Sequence, residues 1–212
     1  MSKYYPAQIN IKDKKCVVVG GGNVAWRKVC SLKDAGGKVV VVSPAFCPEM
    51  EKEGDIELIK QKYDECFLNG AVIVIASTDN EEVNKKIYHD AVRKGILVNV
   101  VDKPDYCSFI VPSSIVRGDL CITISTGGAS PAFARNIRLQ LETLFGNEYG
   151  EFIELLSETR GKVLDEIPDE KVRREILQRI AEMDMFDFFK EKGCSETKKK
   201  ILNIISEKYS CK

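Results

Sequence analysis

The chain carries one histidine in 212 residues, no CxxC pair and no excess of either charge, because 32 Lys and Arg balance 32 Asp and Glu. The lone His89 cannot complete a Cys/His zinc site with the eight cysteines, at 16, 30, 47, 66, 107, 121, 194 and 211. No protein metal site is therefore expected, and His89 reads as a surface or interface residue on a helix. A balanced charge argues against a dedicated nucleic-acid binder, which carries a basic excess. The apolar runs are strand-sized, such as Ala71–Ala76, whereas a membrane helix needs about 20 apolar residues. Residues 1–6 show no apolar leader segment. The expectation is a cytoplasmic protein with reduced, mostly buried cysteines and neither membrane nor nucleic acid among its partners.

The composition, 44% hydrophobic and 30% charged, is that of a soluble globular chain of one to two domains. The first half alternates two periods. Apolar runs predict strands at 15–20, 38–43, 56–60, 71–76 and 96–101, with helices at 24–35, 45–53 and 80–94 between them. Such alternation implies an α/β fold of the doubly wound, Rossmann type, a parallel sheet covered on both faces. After Pro104 the pattern changes. Short β-rich pieces are expected at 108–111 and 114–116, and a half-exposed strand at 120–125. A helix begins at Pro131 behind the N-cap Ser130, with Phe133, Ile137, Leu141 and Leu144 on one face and Arg135 and Arg138 on another. From Asn147 the chain reads as wholly helical. One apolar stripe is Phe152, Leu155, Leu156 and Val163, and a second is Val172, Ile176, Ile180 and Met183. A last helix after Gly193 carries Ile201, Leu202, Ile204 and Ile205, with Lys198–Lys200 as a solvated face.

Gly20-Gly21-Gly22-Asn23-Val24-Ala25 fits G-x-G-x-x-A directly between a strand and a helix. Gly20 permits the tight turn, Gly22 lets a pyrophosphate approach the backbone, and Ala25 lets helix pack on strand. The N–H groups that open the helix, including those of Asn23 and Val24, attract phosphate. The second strand ends at Ser43 rather than at an acid. A serine can hydrogen-bond a ribose without repelling a 2′-phosphate, so NAD and NADP both stay open at this position. Ser77 and Thr78 end the fourth strand at the edge where such sheets hold ligands. Asp102 ends the fifth at the same edge. A partly buried carboxylate there is suited to general-base work, although a loop aspartate capping the turn before Pro104 accounts for the position equally well. Cys107, beside it, reads as an inert neighbour.

These motifs, with Arg27-Lys28, Asn99-Val100-Val101-Asp102, Ser108–Ser113 and Ile124–Pro131 in that order, resemble the precorrin-2 dehydrogenase/sirohydrochlorin ferrochelatase family of siroheme biosynthesis. The resemblance covers residues 1–145; beyond them the chain matches in size and helical character only. It implies an NAD-binding domain at 1–113, a dimerisation region at 114–146, a helical domain at 147–212 and an intertwined homodimer. It implies NAD as cofactor, with contacts at Asn23, Val24, Pro44 and Ala45, and a catalytic role for Asp102. Thr126 stands where some members carry serine. Some members are fused to a methyltransferase, for which 212 residues leave no room.

The implied reaction removes a hydride and a proton from precorrin-2 to give sirohydrochlorin. Some members then insert Fe²⁺ as a substrate. The tetrapyrrole bears eight carboxylates, so positive charge must meet it. Thr126 and Ser130 at the helix start, with Lys103, Arg117, Arg135 and Arg138, are the candidates. Two other classes remain open: an NAD-sensing regulatory module without catalysis, and a dehydrogenase of a small hydroxy or keto acid. The second is poorly served by His89 on a peripheral helix.

Overall fold

The computed structural model describes residues 4–210, with side chains to Glu207. The chain divides at Val111/Pro112 into two compact units. The first holds five parallel strands in the order β3-β2-β1-β4-β5: β1 Lys15–Val19, β2 Lys38–Val42, β3 Glu57–Ile59, β4 Ala71–Ala76 and β5 Leu97–Val100. Alternate residues of the valine-rich strands feed opposite cores, as strand geometry requires. Val17 and Val19 of β1 pack with Ile87 and Ala91 of helix α3 (Glu81–Lys94). Cys16 and Val18 pack with Ala25, Val29 and Leu32 of α1 (Asn23–Asp34). Helix α3 is bounded by local chemistry: Asn80 caps its first turn by accepting from Val83 N–H at 3.1 Å, and Gly95 ends it in the left-handed conformation. The parallel, doubly wound architecture expected from the strand runs is the one present.

Two local expectations fail. The helix read over 45–53 shrinks to the single turn of α2 (Pro48–Glu51). Residues 108–111 form no strand. Ser108 instead touches β5 at one point, Val98, through backbone and hydroxyl, and a single contact makes no ladder.

The second unit begins with an antiparallel hairpin, β6 (Ser113–Arg117) and β7 (Leu120–Ile124). Four helices follow: α4 Pro131–Glu142, α5 Asn147–Glu166, α6 Glu170–Ile180 and α7 Met183–Ser210, the last broken at Gly193 (φ 77°, ψ 177°). The hairpin turn lies on Gly150 of α5, where an added Cβ would sit 2.8 Å from the Arg117 carbonyl. The helical core gathers Phe152, Leu155, Val163, Ile176, Ile180, Met185, Phe186, Phe189 and Ile201. Met183, expected in the second stripe, is exposed and Met185 is buried in its place. Helix α6 stops at Ile180, so the period of that stripe does not carry through the turn. Leu202 is likewise exposed. The apolar face expected on α4 is largely uncovered: Phe133 is 59% exposed and Leu144, which falls just past the end of the helix, 64%, and of α4 only Ala134 is buried. Cysteine burial is also corrected. Of the seven described cysteines, all free, only Cys16 is buried, while Cys66, Cys121 and Cys194 are exposed; Cys211 lies outside the described residues.

Candidate functional site

Strand order reverses between β1 and β4, and a doubly wound sheet opens its ligand crevice at the carboxyl ends of such a pair. Gly20 follows β1 and Ser77 follows β4. They lie against one another, with Ser77 N–H donating to Val19 O at 2.9 Å. The three glycines of the turn have different physical reasons. At Gly20 (φ +130°) an added Cβ would fall 2.5 Å from Ser77 O. At Gly21 it would fall 1.8 Å from Ala45 O, a close approach that the motif reading missed and that only the fold reveals. Gly22 is different. Its φ of −90° suits any residue, and a Cβ there would meet nothing within 4 Å. Neither conformation nor internal packing demands glycine at 22, so the missing side chain leaves room for something outside the chain.

Gly22 also caps α1. No side chain caps the helix start and no acidic residue lies in the first turn. The opening N–H groups, those of exposed Asn23 and Val24 among them, therefore face open space with the positive end of the helix dipole behind them. Ala25 is wholly buried under the helix. A dinucleotide's pyrophosphate would fit this cradle, and Gly20, Gly22, Asn23 and Val24 are the residues that could hold it.

The neighbouring positions are firmly built. Ser43 is buried, its hydroxyl turned towards Gly21 and accepting from Ala45 N–H at 3.5 Å; Pro44 and Ala45 are exposed. The Ser77 hydroxyl donates to Val19 O at 3.3 Å. Thr78 is held by Asn84 of α3: its hydroxyl donates to Asn84 Oδ1 at 2.8 Å, and Asn84 Nδ2 donates to Thr78 O at 2.8 Å. Asn84 escaped the sequence reading because nothing local ties a mid-helix asparagine to a strand end.

Asp102 follows β5 at the same carboxyl edge, but it is exposed rather than partly buried. It occupies a left-handed backbone conformation, φ 59°, in a turn closed by Lys103 N–H donating to Val100 O at 3.2 Å. A non-glycine residue there stores strain that local structure must hold. Lys28 of α1, half-buried, feels the Asp102 carboxylate. Burial and then Arg27 lower the Lys28 pKa, against the opposing pull of Asp102.

The expected anion binders are unevenly available. Lys103 pairs with Glu81 at 3.0 Å. Arg117 donates to the carbonyls of Phe145 and Val116. Arg138 pairs with Glu142. Arg135 is exposed and forms no ion pair among the described residues. The start of α4 is ordered by Thr126, whose hydroxyl accepts from Ser130 N–H at 3.0 Å, and by Ser130, which accepts from Phe133 N–H at 3.3 Å. No cluster of three metal-binding side chains occurs among the described residues, and no described helix is long and apolar enough to cross a membrane.

Comparison with known proteins agrees with this geometry. A family model described as "Putative NAD(P)-binding" matches residues 7–113, and one described as "Sirohaem biosynthesis protein central" matches residues 117–144. The siroheme synthase of Thioalkalivibrio sulfidiphilus is 38% identical over 205 residues, covering 94% of this chain and 42% of its own. That of Methylobacillus flagellatus is 41% identical over 172 residues, 80% of this chain and 37% of its own. The chain thus spans about two fifths of the length of these curated relatives. The solved structure of "SirC, precorrin-2 dehydrogenase" shares the fold, with a TM-score of 0.78, 24% identity, and coverage of 96% of this chain and 100% of that one. With the glycine turn and the sheet edge it serves both inside the first match, this chain belongs to the NAD(P)-binding family which that model describes.

Proposed function

We propose that the chain is an NAD-dependent precorrin-2 dehydrogenase producing sirohydrochlorin, acting as a cytoplasmic homodimer. The observation that carries the reading is the shared edge: the open Gly22 cradle and Asp102 both lie at the carboxyl ends of one sheet. When bound, the nicotinamide accepts the hydride. The chain's own residues do the rest. Gly22 and the α1 N–H groups hold the pyrophosphate. Asp102 takes the proton released as the substrate is oxidised, and being exposed it passes that proton to water. Lys28, half-buried on α1, lies within electrostatic reach of that carboxylate. Thr126, Ser130 and Arg135 are the proposed partners of substrate carboxylates, with Lys103, Arg117 and Arg138 available on rearrangement of their present bonds.

Support for the homodimer comes from the uncovered apolar side chains of the second unit, Val116, Phe133, Leu139 and Leu144. Such surface is costly to leave in water and is normally covered by a partner.

An anaerobic assay with precorrin-2 and either NAD or NADP tests the proposal. NADH formation is expected with NAD, and Asp102→Asn is expected to abolish it while leaving NAD affinity within about twofold. Asparagine is nearly isosteric and tolerates the left-handed backbone, so only the charge is removed. Normal turnover in Asp102→Asn refutes the base assignment; NAD binding without hydride transfer from precorrin-2 turns the reading to a sensing module. A parallel arm with sirohydrochlorin and Fe²⁺ measures metal insertion.

A further inference from the structure

β5 is an edge strand, paired only with β4. Its outward N–H and C=O groups at Val98 and Val100 have no neighbouring strand, and such groups need partners. The chain supplies them by doubling back. Ser108 satisfies Val98: its hydroxyl accepts from Val98 N–H at 2.8 Å and its N–H donates to Val98 O at 2.8 Å. Cys107 satisfies Val100. Its Sγ accepts from Val100 N–H at 3.3 Å and from Asn99 Nδ2 at 3.5 Å. The same sulfur lies 3.3 Å from Val100 O and 3.3 Å from Lys103 O, either of which can receive the thiol proton.

Val100 and Lys103 are the two ends of the turn that carries Asp102 at φ 59°. One half-buried sulfur therefore touches both ends of the strained turn. A serine oxygen at 107 keeps the same donor and acceptor capacity with a shorter reach, whereas alanine and valine keep none. We propose that Cys107 is a positioning residue for Asp102: its thiol clasps the Val100–Lys103 turn to the edge of β5 and so fixes where the carboxylate stands. The role rests on the reading of Asp102 as proton acceptor. It is neither redox nor metal chemistry, since no second cysteine is needed and the hydrogen bonds of the sulfur run to Asn99, Val100 and Lys103.

The test compares Cys107→Ala, Cys107→Val and Cys107→Ser with the parent, measuring kcat and KM in the anaerobic precorrin-2 assay, NAD affinity and the thermal midpoint. Valine preserves most of the volume, so it carries the test if the alanine variant folds poorly. Alanine and valine are expected to lower kcat by about 10- to 100-fold, the scale set by misplacing a catalytic group by about 1 Å, with KM and NAD affinity changed by less than about twofold. Serine is expected to stay within about threefold of the parent. Parental kcat in both the alanine and valine variants overturns the clasp, as does a serine variant as slow as these two. A parallel fall of NAD affinity and kcat also overturns it, because that marks general loss of the fold. Asp102→Asn in the same assay separates the two readings. If it is inactive while Cys107→Ala and Cys107→Val are normal, only the clasp fails; if it turns over normally, the base assignment fails and the clasp with it.

Discussion

Gly22→Ala separates a glycine kept for the fold from a glycine kept for a ligand. At Gly22 the backbone is extended, φ −90° and ψ −179°, and the space a Cβ would enter is empty to 4 Å. Two small effects on stability then oppose each other. Alanine is a poorer N-cap than glycine, by about 1 kcal/mol. It also restricts the unfolded chain, which returns about 0.4–1 kcal/mol. The net change is expected within about 1 kcal/mol, or about 2–4 °C in thermal midpoint for a chain of this size. Binding is another matter. The methyl group would stand in the proposed path of the pyrophosphate and screen the α1 N–H groups, so NAD affinity is expected to fall at least about tenfold, a loss of about 1.4 kcal/mol. The control is Gly21→Ala, whose Cβ would lie 1.8 Å from a backbone oxygen that cannot swing aside. Overpacking of that kind costs about 1–3 kcal/mol or more, which lowers the midpoint by about 2–12 °C. Calorimetric melting and isothermal titration with NAD read both quantities. Unchanged affinity in Gly22→Ala, with its midpoint intact, refutes the assignment of that cradle to the dinucleotide.

Three further outcomes follow from other parts of the molecule. The Asp90 carboxylate, buried on α3, accepts from Tyr63 Oη at 3.0 Å and from Arg93 at 2.8 Å; Asp90→Ala leaves the Tyr63 hydroxyl without its acceptor, while Arg93 keeps Glu65 at 2.7 Å, and is expected to cost about 1–3 kcal/mol in chemical denaturation, and a loss below about 0.5 kcal/mol refutes the network's role. Burial, then the Asp90 bond, push the Tyr63 phenol above its ordinary value of 10.0. The folded chain therefore holds that proton more tightly than the unfolded chain. Its contribution is complete below about pH 10 and is lost as the medium becomes more alkaline, so Tyr63→Phe is expected to flatten the decline of the midpoint above that pH, and an equal slope counts against it. For the proposed dimer, Leu144→Glu places a charge on the uncovered apolar surface just past the end of α4 and is expected to give monomers in sedimentation velocity, whereas an unaltered dimer moves the interface elsewhere.

Much of the fold was legible because its signals are local. The valine runs of β1 and β2 and the alternating helices announce a parallel sheet. The cap Ser130 and the break at Gly193 lie beside the elements they bound. The glycine-rich turn was legible for the same reason, since strand, glycines and helix are contiguous. What residues 45–53, 108–111 and Met183 did escaped, because each depends on where a neighbouring element stops or how far it reaches. The exposure of Asp102 escaped too: a strand-end aspartate reads the same in sequence whether the loop beside it covers it or not.

By itself, then, the order of residues determined the layered α/β plan, the glycine-rich corner and the candidate carboxylate, all written in periods and short spacings. Only the tertiary structure decided which glycine is packed and which is open, that Asn84 holds Thr78, and that Cys107 bridges the Asp102 turn. Those depend on atoms from separate segments meeting at an edge strand or a strand reversal, and periodicity along a chain carries no information about such distances.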